Sequence, residues 1–133
     1  MKIPDAGPGI TAEQISAFLR SASRIVRANG LHQGAYYDPD QHDYGKIPAE
    51  QCRVCALGAV NIAVTGSPSV NLGREDLRAV MRHLNAYMAT VHGELAVPEW
   101  NDQPGRTVVQ VALLLLRAAA WRPTPAGTLA LAA

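Results

Sequence analysis

Four side chains spread along this chain carry the functional groups of a thiol hydrolase. Gln33 offers a carboxamide that can hold an oxyanion, Cys55 a thiol, His92 a base and Asn101 an orienting amide. A cysteine-dependent hydrolase or transferase with Cys55, His92 and Asn101 as catalytic residues is therefore one reading of the chain. It requires the thiol to sit at a helix N-terminus or beside a cation, where thiolate forms readily. The stretch Trp100-Asn101-Asp102-Gln103-Pro104-Gly105-Arg106-Thr107 is the densest concentration of chemistry, with indole, carboxamide, carboxylate, guanidinium and hydroxyl in eight residues. Thr107 and Gln110 have capping-box spacing, so a helix begins at Thr107 and its free N–H groups favour anions nearby.

These residues support a binding reading that is favoured over the catalytic one. Tyr36, Tyr37, Tyr44 and Trp100 fall in polar segments, where amphipathic rings suit pockets and interfaces. The expected pocket joins the 31–47 loop to the 100–107 segment, with Gln33, Tyr36, Tyr37, Trp100, Asn101, Asp102, Arg106 and Thr107 as binding residues. The competing, purely architectural expectation has Trp100 plugging the end of a bundle, Asp102 paired with Arg106, and Asn101 bonded to loop backbone. Cys55 would then be a small buried hydrophobe.

Cys52 and Cys55 form a Cys-x-x-Cys half-site that could recruit two of His32, His42 and Asp43. No second pair follows, and two cysteines on one helical turn chelate poorly, so no metal and no cofactor is assigned. His83 is expected at the surface of a helix, and His92 at a helix C-terminus.

The elements that must position these groups are helical. Aromatics make up 5% of the 133 residues while alanine is frequent, which suits close-packed helices better than sheets. Four helices are expected. The first starts at a Thr11/Gln14 capping box, carries Ile15, Phe18, Leu19, Ala22, Ile25 and Val26 on one face, and stops at Asn29-Gly30. A second is expected to open at Pro48, with Cys52, Cys55, Ala56, Ala59 and Val60 on one face, and to end at Thr65-Gly66. The third runs from about Arg74 to Val91 with Leu77, Val80, Met81, Leu84 and Met88 inward. The fourth, from Val108 to about Trp121, has only Gln110 and Arg117 as polar members and is expected to be surrounded by the others.

Length bounds the chain to one domain over 11–122, with an N-terminal extension over 1–10 and a mobile tail over 123–133. Twelve basic and eleven acidic residues leave a net charge of +1, which counts against a nucleic-acid binder, a helix-turn-helix module included. With neither a signal-peptide core nor a run of ~20 apolar residues, no membrane role and a cytoplasmic location are expected.

Cys55-Ala56-Leu57-Gly58-Ala59, the upstream Gln33-Gly34, and Trp100-Asn101-Asp102 followed by Gly105-Arg106-Thr107 together resemble a family of small uncharacterised proteins of actinobacteria and their phages. The resemblance runs from the first helix to about Trp121. It implies a mainly helical domain whose motif residues meet in space, and it brings no activity; Cys52 lies outside the pattern. The resulting expectation is a small helical binding or accessory protein, phage- or plasmid-derived, with a protein or small-molecule ligand. The ending Leu129-Ala130-Leu131-Ala132-Ala133 resembles a ribosome-rescue tag and so invites ClpXP recognition.

Overall fold

The computed structural model describes residues 9–123. The tail beyond, with the ClpXP-like ending and the mobility expected of it, and most of the N-terminal extension lie outside the described residues.

The chain is mainly helical, with four long helices and two short ones: α1 (Ala12–Asn29), α2 (Pro39–Asp43), α3 (Ala56–Thr65), α4 (Glu75–Val91), α5 (Val97–Asn101) and α6 (Val108–Ala120). Among the described residues there is no sheet, and no helix is long and apolar enough to cross a membrane. α1 starts where the sequence places it. Thr11 Oγ1 accepts from the Gln14 N–H at 3.1 Å while Gln14 returns its carbonyl to the Thr11 N–H at 2.8 Å, and Gly30 closes the helix at φ 98°. Thr107 and Gln110 do the same for α6, at 3.2 and 3.0 Å.

α1 and α6 form the central antiparallel pair. Ser16 donates to the Ala119 carbonyl at 2.7 Å and Ser23 to the Ala112 carbonyl at 2.9 Å, so one side chain per two turns ties the helices together through their backbones. Small residues at the seam, Ala22, Ala112 and Ala119, allow that approach. α3 lies against α1, and α4 leans on α3 and α6. Leu19, Val26, Val60, Leu77, Leu84, Met88 and Leu115 fill the interior.

Two expectations about the helices change. α6 is not surrounded: Val109 and Leu113 stand 65% and 41% exposed, because three partners cover only the face carrying Val111, Ala112, Leu114, Leu115, Ala118 and Ala119. The helix expected to open at Pro48 does not. Pro48 precedes a single 3-10 turn, Ala49–Gln51, and the chain then extends through Cys52–Cys55 before α3 begins at Ala56.

The extended piece is held by neighbours on both sides. Val54 takes backbone bonds from the chain after α1, with the Val54 N–H donating to Gly30 at 3.0 Å and the His32 N–H donating to Val54 at 2.8 Å. On its other edge the Asp38 N–H donates to Arg53 at 2.9 Å and the Cys55 N–H to Tyr36 at 3.2 Å. Val54, fully buried, is thus backbone-paired on two sides, and these tertiary bonds displace the two helical turns that local spacing favours. Asp38 reinforces the junction: Arg53 donates to its Oδ2 at 2.5 and 3.2 Å, holding the Asp38 carboxyl below the usual carboxylate range. Asp38 also caps α2, which occupies part of the long polar loop.

Candidate functional site

The three short stretches that stand out in the sequence meet at the N-terminus of α3. Asn101, at the end of α5 and only 1% exposed, is the centre of the junction. Its Oδ1 accepts from the Ala56 N–H at 2.9 Å, satisfying the first N–H of α3 from a segment 45 residues away. Its Nδ2 donates to the His32 carbonyl at 3.2 Å and to Asp102 Oδ1 at 2.9 Å. Asp102 Oδ1 in turn accepts from the Gly34 N–H at 3.1 Å, and Gln33 Nε2 donates to the Asn101 and Gln103 carbonyls, both at 2.9 Å. The 32–34 loop, α5 and α3 are therefore pinned to one another by amide and carboxylate groups whose partners are mostly backbone.

Cys55 is the N-cap of α3. Its Sγ accepts from the Gly58 N–H at 3.3 Å, taking the place usually held by a Ser or Asp oxygen. The thiol is half-buried in the wall of a hollow of about 210 Å³ formed by Gly34, Ala35, Tyr36, Cys55, Leu57, Val97, Pro98, Asn101 and Asp102. Burial pushes the Cys55 thiol up from its ordinary value, the Gly58 and Leu57 N–H groups oppose that rise, and the nearby Asp102 charge adds to it. The helix N-terminus is present, as the catalytic reading requires, yet desolvation outweighs it.

Gly58 is a residue the sequence analysis did not single out. A Cβ there would lie 2.0 Å from the Tyr36 carbonyl oxygen, the same oxygen that accepts from the Cys55 N–H. Only glycine lets the loop backbone cross the first turn of α3 this closely. Its place within Cys-Ala-Leu-Gly-Ala was the available signal.

The expected single pocket divides in two. α5 is barely more than one turn, and successive residues on a helix point about 100° apart. Asn101 consequently faces the loop, while Trp100 turns to a second hollow of about 220 Å³ with Tyr87, His92, Arg106, Gln110, Leu113, Leu114 and Arg117. Arg106 does not pair with Asp102. Its guanidinium lies over the Trp100 ring at 3.8 Å, its Nε donates to the Trp100 carbonyl at 2.8 Å, and Nη2 donates to Gln103 Oε1. Trp100 is 7% exposed and packs with the core, and Asn101 bonds loop backbone at His32.

His92 sits against Trp100 and Tyr87, with ring centroids 5.9 and 6.2 Å away, and lines the second hollow, not the one beside Cys55. The structure thus brings Gln33, Cys55 and Asn101 together and leaves His92 elsewhere. Tyr36 borders the Cys55 hollow, Tyr37 packs half-buried near His42, and Tyr44 is 83% exposed. Thr107 serves as the cap of α6.

The remaining titratable candidates are architectural. His83, expected at the surface, is half-buried, bonds the Ala118 carbonyl at 2.8 Å and packs edge-on to Trp121. Cys52 is buried with its Sγ 3.5 and 3.6 Å from the Pro48 and Ile47 carbonyls. Among the described residues no group of three or more His, Cys, Asp or Glu side chains is placed to hold a metal ion.

A small helical domain whose loop, α3 N-terminus and α5 interlock around a thiol-walled hollow is the class these features define. The chain belongs to a family of unknown function, DUF6197, whose model matches residues 11–120, from the cap of α1 to the last residue of α6. No curated protein and no solved structure matches it.

Proposed function

We propose that this protein is a binding module that receives a small apolar group, from a metabolite or a partner's side chain, in the hollow beside Cys55. The observation that carries this reading is the division of labour among the motif residues. The polar groups of Gln33, Asn101 and Asp102 bind mostly the protein's own backbone, whereas Cys55, Leu57, Val97, Pro98 and Ala35 make an oily wall around about 210 Å³. An apolar cavity of ~150 Å³ is already enough to admit benzene. The accessory role in actinobacteria or their phages draws on the motif resemblance.

A nucleophilic Cys55 is the second reading, favoured by its position as helix N-cap at an accessible hollow. It lacks a histidine base: none of the residues around the hollow is a histidine, the carboxylate there, Asp102, is engaged by the Gly34 N–H and Asn101 Nδ2, and burial raises the pKa of the thiol. The test of the binding reading is methyl NMR of Leu57 and Val97 during titration with toluene and indole as probes. Saturable shifts confined to these methyls, abolished when Ala35→Trp fills the hollow, are expected. Unshifted Leu57 and Val97 methyls at probe saturation would refute it.

A further inference from the structure

The second hollow shares no lining residue with the one beside Cys55, and its chemistry differs. Its floor is aromatic: Tyr87 and Trp100 are 5% and 7% exposed, and His92 sits edge-on or tilted between them. Its rim is cationic. Arg106 is fixed over the Trp100 face by bonds from Nε and Nη2, and its Nη1 makes no hydrogen bond among the described residues. Arg117, on the exposed side of α6, has neither an ion pair nor a side-chain hydrogen bond among the described residues. Among the described residues no carboxylate lines the hollow, so two guanidiniums face one concavity without neutralisation there. Leu113, 41% exposed, supplies an apolar edge beside them.

Unneutralised guanidiniums seek an oxyanion, and a floor of indole and phenol seeks a flat apolar surface. A volume of about 220 Å³ accommodates a single ring with its headgroup. We infer that this hollow is a second binding site, for a small organic anion that joins a carboxylate head to an aromatic or similarly flat apolar body. The carboxylate meets Arg117 and the free edge of Arg106, and the body lies against Trp100, Tyr87 and Leu113. The pre-stacked Arg106 presents its donors without having to be ordered on binding, which lowers the entropic cost of capture.

The experiment uses benzoate as the probe, benzyl alcohol as its uncharged counterpart and inorganic phosphate as a head without a body. The readout is the indole N–H resonance of Trp100 in the full chain. Benzoate is expected to shift it saturably, and both Arg117→Gln and the change to benzyl alcohol to weaken binding about tenfold, the effect of one lost charge-assisted contact. The Arg117 side chain makes no hydrogen bond or ion pair among the described residues, so circular dichroism of Arg117→Gln should match the parent. Leu113→Glu, at an exposed position, is a second variant that places a carboxylate in the hollow and should also repel benzoate. The inference is overturned if benzoate produces no saturable shift, if benzyl alcohol or inorganic phosphate binds as well as benzoate, or if both variants titrate like the parent.

Discussion

Replacing Asn101 by alanine removes three hydrogen bonds, but their costs are unequal because their partners differ in access to water. Asp102 is exposed and the His32 carbonyl is half-buried, so both can turn to solvent once the amide is gone. The Ala56 N–H cannot: Ala56 is fully buried, and among the described residues its partner is Asn101 Oδ1 at 2.9 Å. An orphaned buried N–H costs about 1–3 kcal/mol. The truncated side chain also leaves space at a site only 1% exposed, adding about 1 kcal/mol. The expected destabilisation is therefore about 2–4 kcal/mol, a fall in Tm of about 10 °C or more. Urea melts followed by far-ultraviolet circular dichroism measure it, with an unchanged slope showing that the unfolded state is not what moved. Asn101→Asp separates the roles of the amide. It keeps an acceptor for Ala56 but sets a second carboxylate beside Asp102, so it should be at least as damaging at neutral pH and recover on acidification as one carboxylate protonates. A loss below about 1 kcal/mol for Asn101→Ala would refute the idea that Asn101 is the pin between α5 and α3.

Three further outcomes follow from the same geometry. Cys55 should react with iodoacetamide more slowly than a free thiol at neutral pH, accelerating only above the ordinary value of 9.0 because burial raises its pKa; rapid stoichiometric labelling would revive the nucleophile reading. Since the folded state holds that proton more tightly, its contribution to stability is full below the unfolded value and lost as pH rises through the folded one. Gly58→Ala should cost about 2–4 kcal/mol, since its Cβ would lie 2.0 Å from the Tyr36 oxygen and either the loop or α3 must move; the melt and the amide shifts of residues 34–38 report it. Asp38, whose pKa is lowered chiefly by Arg53, contributes stability that is present above the unfolded value of 3.8 and lost as pH falls through the lower folded value. Acid melts of Asp38→Asn should lack that part of the decline.

What could be read from the sequence was whatever local chemistry decides. The capping boxes at Thr11/Gln14 and Thr107/Gln110 are complete within four residues, and the stops at Gly30, Gly66 and Gly93 need only backbone with positive φ. The inward faces of α1 and α4 follow from helical periodicity alone. The convergence of Gln33, Cys55, Asn101 and Asp102 was signalled only by motif order. Tertiary structure decided the rest. Residues 52–55 have helical spacing, but backbone bonds on both sides of Val54, supplied by the distant chain segment between Gly30 and Asp38, hold them extended and place Cys55 at a helix start. The same physics split the expected pocket. Whether Trp100 and Asn101 share a site depends on whether their segment is loop or helix, and one turn of α5 points them into different hollows. Likewise the apolar pattern of α6 shows which residues could be buried, whereas the number of helices available to cover it left Val109 and Leu113 in solvent.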